Sequence, residues 1–459
     1  MAGGELKDVT KGVYQMYVEK ITIKNFRCFA EATVDLNYPG REPRRGHKLP
    51  DRFKNVTLFI GANGSGKTTV FKALCLAVLA PVIRNSGMLA DFFVRRPSGY
   101  AEDIGNNSDP FPLANSDITV DLKLSEVDTE KVPLPKTRTI GQAVIHRQGD
   151  FEDITTAHTN PAVWNRIYKN DVPAFFLAAY GANRRSANPE GYTERTRSPR
   201  YERIASIFEE YAALVPFTVG YLQLDKRNLL GAARHILNRL LPDGVTLSNS
   251  TDRANRPLFS AFGVLHPFSA LSDGYRGFIA WVWDLLVQMA RVIPPHAGAN
   301  AFKQLRGVVI VDEIDLFLHP RWQRGLIEEL AEEFPNLQFL FSTHSPLVVG
   351  MLEMENIRVL TRFGDTSEIE QYQEEVEGKT PNELLTSIYF GLSSTRSPHS
   401  GTLSEQAEKE MKAEGVPALP EERRLGQFSE AQKRELNRMM AQSREYGKAI
   451  HKAEVLEKE

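Results

Sequence analysis

The chain has 459 residues, of which 42% are hydrophobic and 25% are charged, and this is the composition of an ordinary soluble globular protein. The length allows two or three domains, or one large domain with insertions. With 56 Lys and Arg against 58 Asp and Glu, the net charge is −2, so the overall charge gives no argument for nucleic acid, and any such surface must be a local patch.

The two cysteines, Cys28 and Cys75, lie far apart in apolar-patterned segments. This favours buried free thiols in a reducing compartment over a disulfide or a metal pair. The N-terminal twelve residues contain no apolar core of the kind that a signal peptide needs. The longest apolar run, Ile279–Ala290, is interrupted by Asp284 and Gln288 and is too short to span a bilayer. We therefore expect a cytoplasmic protein.

The N-terminal segment contains one strand pattern and one polar loop. Tyr17–Phe29 alternates apolar and polar residues, which predicts a strand. Asn37–Lys54 is rich in proline and arginine and predicts a loop. Its charges fit either a solvated loop or a contact with nucleic acid or a partner.

A phosphate-binding pattern follows at Asn55–Thr69. The apolar strand Val56–Ile60 leads into Gly-x-x-x-x-Gly-Lys-Thr, and a helix with apolar residues at helical spacing comes next. Glycines let the backbone turn so that its N–H groups and the helix N-terminus face an anion. Lys67 is expected to bind the outer phosphates, and the Thr68 hydroxyl is expected to bind Mg²⁺. The predicted nucleotide-binding residues of this loop are Gly61, Ala62, Asn63, Gly64, Ser65, Gly66, Lys67, Thr68 and Thr69.

The middle of the chain predicts strands, a second arginine-rich loop and helices. Ser116–Leu124 and Arg138–Arg147 alternate and are expected to pair antiparallel, and Ala174–Ala179 has the pattern of a buried strand. Ser186–Arg203 is polar, and Ile204–Leu241 is mostly helical in pattern. No heptad is sustained, so a long coiled-coil arm is not expected. The arginines of the second loop are Arg195, Arg197, Arg200 and Arg203.

The C-terminal part predicts a strand–helix–strand unit with polar strand ends. Gly307–Asp312 is an apolar run that ends in acids, Arg321–Phe334 has an amphipathic helix pattern, and Leu337–Phe341 is a second buried strand. Ligands bind at the carboxyl ends of such strands. Beyond this unit, Asn356–Thr361 predicts a strand and Pro381–Leu392 a helix.

The strand ends carry the residue types that γ-phosphate hydrolysis requires. Asp312 suits an outer-shell magnesium ligand, Glu313 is placed to orient and deprotonate the attacking water, and His344 is placed to donate to the γ-phosphate. ATP and Mg²⁺ are therefore the expected ligands, with Glu313 and His344 as catalytic residues and Thr68 and Asp312 as metal ligands.

Five segments, IKNFRCF, GANGSGKTT, LSDGYR, VVIVDEIDLFLHP and FSTHSP, together resemble an ABC-type ATPase of the SMC/RecF class. The resemblance implies an α/β P-loop head with a mixed sheet, an antiparallel β edge, an inserted helical subdomain and a helical C-terminal tail. It divides the chain into an N-terminal ATPase lobe (1–185), an arginine-rich and helical insert (186–267), a C-terminal ATPase lobe (268–403) and a charged tail (404–459). The tail fits either a solvated segment or a partner-docking helix.

The same resemblance implies how two chains act together. Heads of this class form a head-to-tail dimer around two nucleotides, so Ser272 and Gly274 would contact the γ-phosphate across the interface. Asp315 would lie in the loop that joins the two sites, and Arg27 would contact nucleotide. The family's glutamine loop is not identified, and Gln148 and the turn Tyr180–Asn183 are both candidates.

Within the class, the motifs look most similar to the stand-alone Septu PtuA-like ATPases of anti-phage operons, which work with an HNH nuclease. Nucleases of the overcoming-lysogenisation type append a metal-binding domain with a Glu and an Asp-x-Asp pair. Such a nuclease is not expected here, because Asp365 is the single Asp after His344. The favoured function is a nucleotide-gated dimer that regulates a partner nuclease. The alternatives are a RecF-like DNA-binding ATPase of recombination and repair, with the arginine-rich loops on DNA, and a protein that keeps ATP as a structural ligand.

Overall fold

The computed structural model describes residues 16–43, 48–88, 90, 92–96, 115–124, 139–149, 151–168, 175–187, 197–294, 298, 300–392 and 394–395. The predicted tail, Ser404–Glu459, lies outside these residues, as do Arg44, Arg45 and Arg195 of the two arginine-rich loops.

The described residues form strands that belong to three sheets. The strands are β1 (Met16–Phe26), β2 (Phe29–Asp35), β3 (Val56–Gly61), β4 (Asn115–Leu124), β5 (Thr139–Gln148), β6 (Phe151–Thr156), β7 (Phe176–Tyr180), β8 (Val245–Thr251), β9 (Pro257–Ala261), β10 (Val264–Pro267), β11 (Gly307–Val311), β12 (Leu337–Thr343), β13 (Ile357–Phe363) and β14 (Thr366–Glu370).

The helices are α1 (Lys67–Arg84), α2 (Pro161–Tyr168), α3 (Pro199–Glu202), α4 (Ala205–Phe208), α5 (Phe217–Lys226), α6 (Leu230–Leu240), α7 (Asp273–Val292), α8 (Ala301–Gln304), α9 (Pro320–Gln323), α10 (Leu326–Glu333), α11 (Pro346–Val349) and α12 (Pro381–Leu385). Among the described residues, none of these helices is both long and apolar enough to cross a membrane.

The central sheet has six strands in the order β14-β13-β3-β12-β11-β7. All neighbours pair in parallel except β14, which pairs antiparallel with β13. The predicted mixed sheet is therefore confirmed. Every residue of β11 and β12 is buried, as expected for strands covered on both faces. The parallel register brings the carboxyl ends of β3, β7, β11 and β12 to one edge of the sheet.

A second, antiparallel sheet has the strand order β2-β1-β4-β5-β6. It contains the predicted antiparallel pair of β4 and β5. The sequence predicted an antiparallel edge, whereas the structure has a separate sheet. Helix α1 is buried along most of its length, and its core is shared with strands of this sheet and with one face of the central sheet.

The buried side chain of Gln338 on β12 connects the two sheets. Its Oε1 accepts a hydrogen bond from the backbone N–H of Val18 at 2.8 Å, and its Nε2 donates to Val18 O at 2.7 Å and to Asn37 O at 2.9 Å. A single amide thus satisfies three buried backbone groups of the antiparallel sheet and the loop after it.

The other face of the central sheet is covered by α5, α6 and α7. Residues Phe278–Ala290 of α7 are all buried, because that face of the sheet and the neighbouring helices surround them. The segment 186–267, predicted as a loop and helices, also contains the small antiparallel sheet β10-β9-β8. Val245, Leu247 and Phe259 of this sheet join the same core.

Two predicted helices are wrong in length. The pattern at Arg321–Phe334 predicted one helix, but the structure has α9 and α10 with a break at Gly325, a residue that weakens helices. The helix predicted at Pro381–Leu392 ends as α12 at Leu385. There, the hydroxyls of Thr386 and Ser387 donate to backbone carbonyls of the helix and compete with its continuation.

Candidate nucleotide-binding site

The loop between β3 and α1 has the glycine conformations that its pattern predicts. Gly61, Gly64 and Gly66 have φ values of 151°, 76° and 109°, which side chains disfavour. A Cβ at Gly61 would lie 2.4 Å from Leu360 O, and one at Gly66 would lie 2.6 Å from Cys28 Sγ. Gly66 is the residue before the first turn of α1, so free N–H groups at the helix start face the loop.

Lys67 is buried beneath this loop. Its ammonium donates to Gly61 O at 2.8 Å and to Ala62 O at 3.2 Å. Burial lowers the pKa of Lys67, and the carboxylates of Asp312, Glu313 and Asp315 oppose that change. The ammonium is thus held at the loop close to three acids.

Asp312, immediately after β11, is 3% exposed, and both of its carboxylate oxygens are hydrogen-bonded. Thr68 Oγ1 donates to Asp312 Oδ2 at 2.5 Å, and Ser342 Oγ donates to Asp312 Oδ1. The backbone N–H of Glu313 donates to the same Ser342 Oγ at 2.7 Å. The two predicted metal ligands, Thr68 and Asp312, are therefore in direct contact, although they are far apart in the chain.

A cavity of about 320 Å³ lies against the loop and α1. It brings together most of the predicted nucleotide-binding residues and both predicted catalytic residues. Its lining consists of Arg27, Cys28, Asn63, Gly64, Gly66, Lys67, Thr68, Thr69, Glu313 and His344. Gly61, Ala62 and Ser65 do not line it. They form the turn beneath it, where Gly61 and Ala62 accept from Lys67.

His344 follows the end of β12 and is half-buried at the cavity. Burial lowers its pKa, and the positive charge of Lys67 lowers it further, whereas Glu313, Asp315 and Asp312 raise it. The neutral imidazole is therefore the favoured form near pH 7, with one N–H to donate. The neighbouring Thr343 Oγ1 donates to Asp315 Oδ1 at 2.5 Å, which connects β12 to the loop after β11.

The donors at this site fit a magnesium–nucleoside triphosphate. A hydroxyl and a carboxylate are oxygen ligands of the kind that Mg²⁺ prefers, and Mg²⁺ takes its other ligands from phosphate and water. Among the described residues, no group of three or more His, Cys, Asp or Glu forms a protein-only metal cage. The ammonium of Lys67 and the start of α1 supply the positive partners for phosphate oxygens.

The structure does not bring Ser272 and Gly274 to this cavity. Ser272 is exposed and precedes α7, and Gly274 lies in the first turn of that helix. A Cβ at Gly274 would lie 2.6 Å from Phe317 O, so the helix start packs tightly on the loop after β11. The candidates for the glutamine loop, Gln148 and Tyr180–Asn183, do not line the cavity either.

Three described arginines of the second arginine-rich loop make contacts inside the chain. Arg200 is 3% exposed and donates to Phe175 O, and Arg203 is 5% exposed with its guanidinium over the ring of Phe176. Arg197 pairs with Glu209 at 2.6 Å. Tertiary burial of these side chains cannot be read from a local charge pattern.

The first arginine-rich loop shows the same behaviour in its described residues. Arg41 donates to Leu36 O at 2.8 Å, and Arg52 pairs with Glu328 at 3.1 Å. These contacts favour a structural interpretation of the loop.

Three residues at the site were missed by the sequence analysis. Cys28 lines the cavity, Ser342 links Asp312 to the backbone of Glu313, and Arg184 donates to the backbone carbonyls of Asp312 and Glu313. Their positions near the carboxyl ends of buried strands could have indicated two of them. Ser342 lies near the carboxyl end of β12, and Arg184 lies soon after β7.

Two family models match the chain. One, an AAA domain, covers residues 20–140. The other is described as "AAA domain, putative AbiEii toxin, Type IV TA system" and covers residues 219–350. The first includes the phosphate loop, and the second includes Ser272, Asp312, Glu313 and His344.

The chain also matches several curated proteins. The chain is similar to Septu protein PtuA. The match with the protein from Bacillus mycoides (strain KBAB4) has 23% identity over 387 residues, or 83% of this chain and 46% of the relative. Retron Vc95 probable ATPase from Vibrio cholerae serotype O1 biovar El Tor is 40% identical over 94 residues, or 20% of this chain and 18% of the relative.

A third relative is the OLD nuclease from Thermus scotoductus (strain ATCC 700910 / SA-01). It is 22% identical over 378 residues, or 78% of this chain and 64% of the relative. The chain thus spans less than half the length of the PtuA and retron relatives and under two thirds of the nuclease. The matches confirm the resemblance to Septu-type proteins and the prediction of an ATPase domain.

Among solved structures, an SMC head bound to the C-terminal winged-helix domain of ScpA aligns with a TM-score of 0.46 and 14% identity. The alignment covers 77% of this chain and 97% of that one. The recombination mediator protein RecF, in a structure titled RecF-ATPrS in RecFOR pathway, aligns with a TM-score of 0.38 and 11% identity, covering 78% of this chain and 99% of that one.

Proposed function

We propose that the chain is a Mg²⁺-dependent ATPase whose nucleotide-bound form is a head-to-tail dimer, and that this dimer regulates a partner nuclease in anti-phage defence. The observation that carries the proposal is the single cavity that Lys67, Thr68, Glu313 and His344 line, with Asp312 bound to Thr68 at its edge. The names of the Septu and retron relatives support the defence role.

Each residue has a distinct task in this proposal. The N–H groups at the start of α1 and the ammonium of Lys67 bind phosphate oxygens. Thr68 and Asp312 would hold a magnesium ion, which would supply positive charge to the phosphates. Glu313 orients a water molecule for in-line attack and accepts its proton, and His344 donates its N–H to the γ-phosphate.

The dimer is proposed because one chain leaves its own site open. Ser272 and Gly274 lie outside the cavity in the same chain, and in a head-to-tail dimer they would meet the γ-phosphate of the other chain. ATP would then join the two chains, and hydrolysis would release them. A partner HNH nuclease would be held or released by this change, through the tail Ser404–Glu459 or through the helices of the insert.

The test is the mass in solution and the rate of phosphate release of wild type, Glu313→Gln and Glu368→Gln. Glu368 is an exposed carboxylate on β14 and serves as the matched control. We expect Glu313→Gln to lower the hydrolysis rate by about 10²- to 10³-fold, in the range of a lost general base. Light scattering should show a doubled mass on addition of Mg-ATP, and the dimer should last longer for Glu313→Gln.

Glu368→Gln should behave as wild type in both measurements. If Glu313→Gln releases phosphate at the wild-type rate, Glu313 is not the base, and ATP is a structural ligand or is hydrolysed elsewhere. If the mass is unchanged by ATP in every variant, nucleotide-gated dimerisation is wrong.

The nuclease proposal has its own test: deletion of Ser404–Glu459 should weaken co-purification with the partner nuclease. Undiminished binding would exclude the tail as the binding segment.

A further inference from the structure

Glu313 has a backbone conformation that a glutamate rarely adopts. Its φ is 49°, in the left-handed region. A non-glycine residue in a sparsely populated region costs about 1–3 kcal/mol and persists only where surrounding contacts hold it. The conformation matters for function, because it decides where the carboxylate that lines the cavity points.

Both peptide groups next to the Glu313 Cα are hydrogen-bonded at both ends. In the preceding peptide, the N–H of Glu313 donates to Ser342 Oγ at 2.7 Å, and the O of Asp312 accepts from Arg184 Nη1 at 2.9 Å. In the following peptide, the N–H of Ile314 donates to Ser342 O at 2.9 Å, and the O of Glu313 accepts from Arg184 Nη2 at 2.7 Å. Two residues therefore fix the orientation of Glu313: Ser342 binds both N–H groups, and Arg184 binds both carbonyls.

Arg184 reaches these carbonyls because of the sheet register. Strand β7 pairs in parallel with β11, with Tyr180 opposite Val311. The segment after β7 therefore lies beside Asp312 and Glu313. The planar guanidinium presents two N–H groups in a fixed fork, and here the two nitrogens bind consecutive carbonyls of one chain segment.

The guanidinium is 9% exposed. Burial lowers the pKa of Arg184 to about 10, and the carboxylates of Asp312, Glu313 and Asp315 oppose this effect. The side chain therefore stays charged near pH 7. Within the described part of the chain, no ion pair joins it to a carboxylate, so its hydrogen bonds go to backbone and its charge acts on three acids at a distance. This arrangement keeps the Glu313 carboxylate free for the cavity.

We propose that Arg184 is the positioning residue of the hydrolytic step: its fork on the Asp312 and Glu313 carbonyls holds the Glu313 carboxylate where it takes the proton of the attacking water. This inference rests on the proposed ATPase function. Arg184 does not line the cavity, so it acts through Glu313 and does not contact the nucleotide or the attacking water.

The experiment compares Arg184→Gln and Arg184→Lys with Arg227→Gln. Arg227 is a matched control, because it is a half-buried arginine that donates to a backbone carbonyl, Ile293 O, in the helix layer. Single-turnover phosphate release, affinity for Mg-ATP and the midpoint of thermal unfolding are measured for each. Each substitution is also made in the Glu313→Gln protein.

We expect Arg184→Gln to slow hydrolysis by about 30- to 100-fold, because small misplacements of a catalytic group have effects of that order. Its affinity for Mg-ATP should stay within about threefold, since the lost contacts act on the chemical step. Arg184→Lys keeps the charge without the fork and should lose less. Arg227→Gln should hydrolyse ATP as wild type even if its unfolding midpoint falls.

The decisive comparison is the double variant. If Arg184 acts through Glu313, Arg184→Gln should cause no further loss of rate in the Glu313→Gln protein. The inference would be overturned by a wild-type hydrolysis rate for Arg184→Gln or by equal losses of Mg-ATP affinity and hydrolysis rate. A fully additive loss of rate in the double variant would overturn it as well. Should Arg184→Gln fail to fold, the same three measurements on Arg184→Lys, alone and in the Glu313→Gln protein, decide.

The two proposals fail differently. If Glu313→Gln hydrolyses at the wild-type rate, the proposed function falls, and the role of Arg184 falls with it. If Glu313→Gln is slow and Arg184→Gln is as fast as wild type, only the role of Arg184 falls.

Discussion

The proposed reaction requires two regions, the phosphate loop and the start of α7. Only at the phosphate loop do residues of one chain already contact each other in a formed site. At the phosphate loop, Lys67, Thr68 and Asp312 are already hydrogen-bonded to the loop or to each other, and Glu313 is held on both sides. At the start of α7, Ser272 is exposed and lies outside the cavity. The first region is preorganised by its own fold, whereas the second presents its groups outward. The difference teaches that binding and turnover can be separated by mutation.

The largest effect is expected at the phosphate loop. Lys67→Ala removes the buried ammonium at the loop, so we expect loss of Mg-ATP binding in calorimetry and a fall in hydrolysis of at least about 10³-fold. Ser272→Arg, in contrast, should leave nucleotide binding to the single chain within about threefold, because Ser272 lies outside the cavity. It should still suppress hydrolysis, because it removes the proposed contact with the γ-phosphate of the other chain.

Mixing these two variants sharpens the comparison. In a head-to-tail dimer, a heterodimer of Lys67→Ala and Ser272→Arg chains contains one intact site, so an equal mixture should recover about a quarter of the wild-type rate by random pairing. An inactive mixture of two folded variants would contradict the shared site. Hydrolysis by the Lys67→Ala protein alone at the rate of the mixture would show that the activity has another source.

A smaller effect is expected at Gly274. A Cβ there would meet Phe317 O at 2.6 Å, so Gly274→Ala should shift the helix start and lower the free energy of unfolding by about 1–3 kcal/mol. Gly277→Ala is the matched control on the same helix, because nothing lies within 4 Å of its added Cβ. It should be neutral or stabilise by up to about 1 kcal/mol. Equal urea midpoints for the two variants would show that the helix start tolerates a shift.

The smallest expected effect concerns the support of α1. His158 Nδ1 accepts from the N–H of Gln142, its Nε2 donates to Tyr168, and the Tyr168 hydroxyl donates to Val78 O of α1. The ring also stacks on Trp164 at 4.1 Å. Burial lowers the pKa of His158 to about 4, and a proton on Nδ1 would face the Gln142 N–H.

Because the folded protein has the lower pKa, the unfolded chain binds the proton first. The stabilisation is complete above pH 6.5 and is lost as the pH falls towards 4. We expect a loss of about 1–2 kcal/mol over this range, after a reduction for solvent screening at a half-buried site. Urea unfolding at several pH values measures it. His158→Asn keeps an acceptor for Gln142 and should show a flatter pH dependence; an unchanged slope would mean that other groups cause it.

The sequence predicted those parts of the site that depend on local chain conformation. The loop from Gly61 to Thr68 is a continuous pattern with its own backbone requirements, and Asp312 and Glu313 follow a run of buried residues that ends at a sheet edge. Each of these predictions needs only a few neighbouring residues. The parallel pairing of β11 with β12 was predicted for the same reason, from two short apolar runs separated by a helix pattern, whereas the mixed sheet was implied only by the family resemblance.

Contacts that depend on the lateral order of the strands were not predictable. Arg184 and Ser342 meet at Glu313 through the lateral order β12-β11-β7, which no local pattern specifies. Arg200 and Arg203 look like surface charges in the sequence, but both are buried, against the carbonyl of Phe175 just before β7 and the ring of Phe176 in β7. The sheet of β8–β10 escaped prediction because β9 and β10 are short, and only a few side chains of the three strands enter the core.

The amide of Gln338 has a consequence for how the molecule can be dissected and how it can move. With one side chain serving three backbone groups of Val18 and Asn37, sliding the antiparallel sheet along β12 would break all three hydrogen bonds at once. A hinge between the two sheets would therefore carry a high energetic cost. The antiparallel sheet is thus a poor candidate for excision as a separate module.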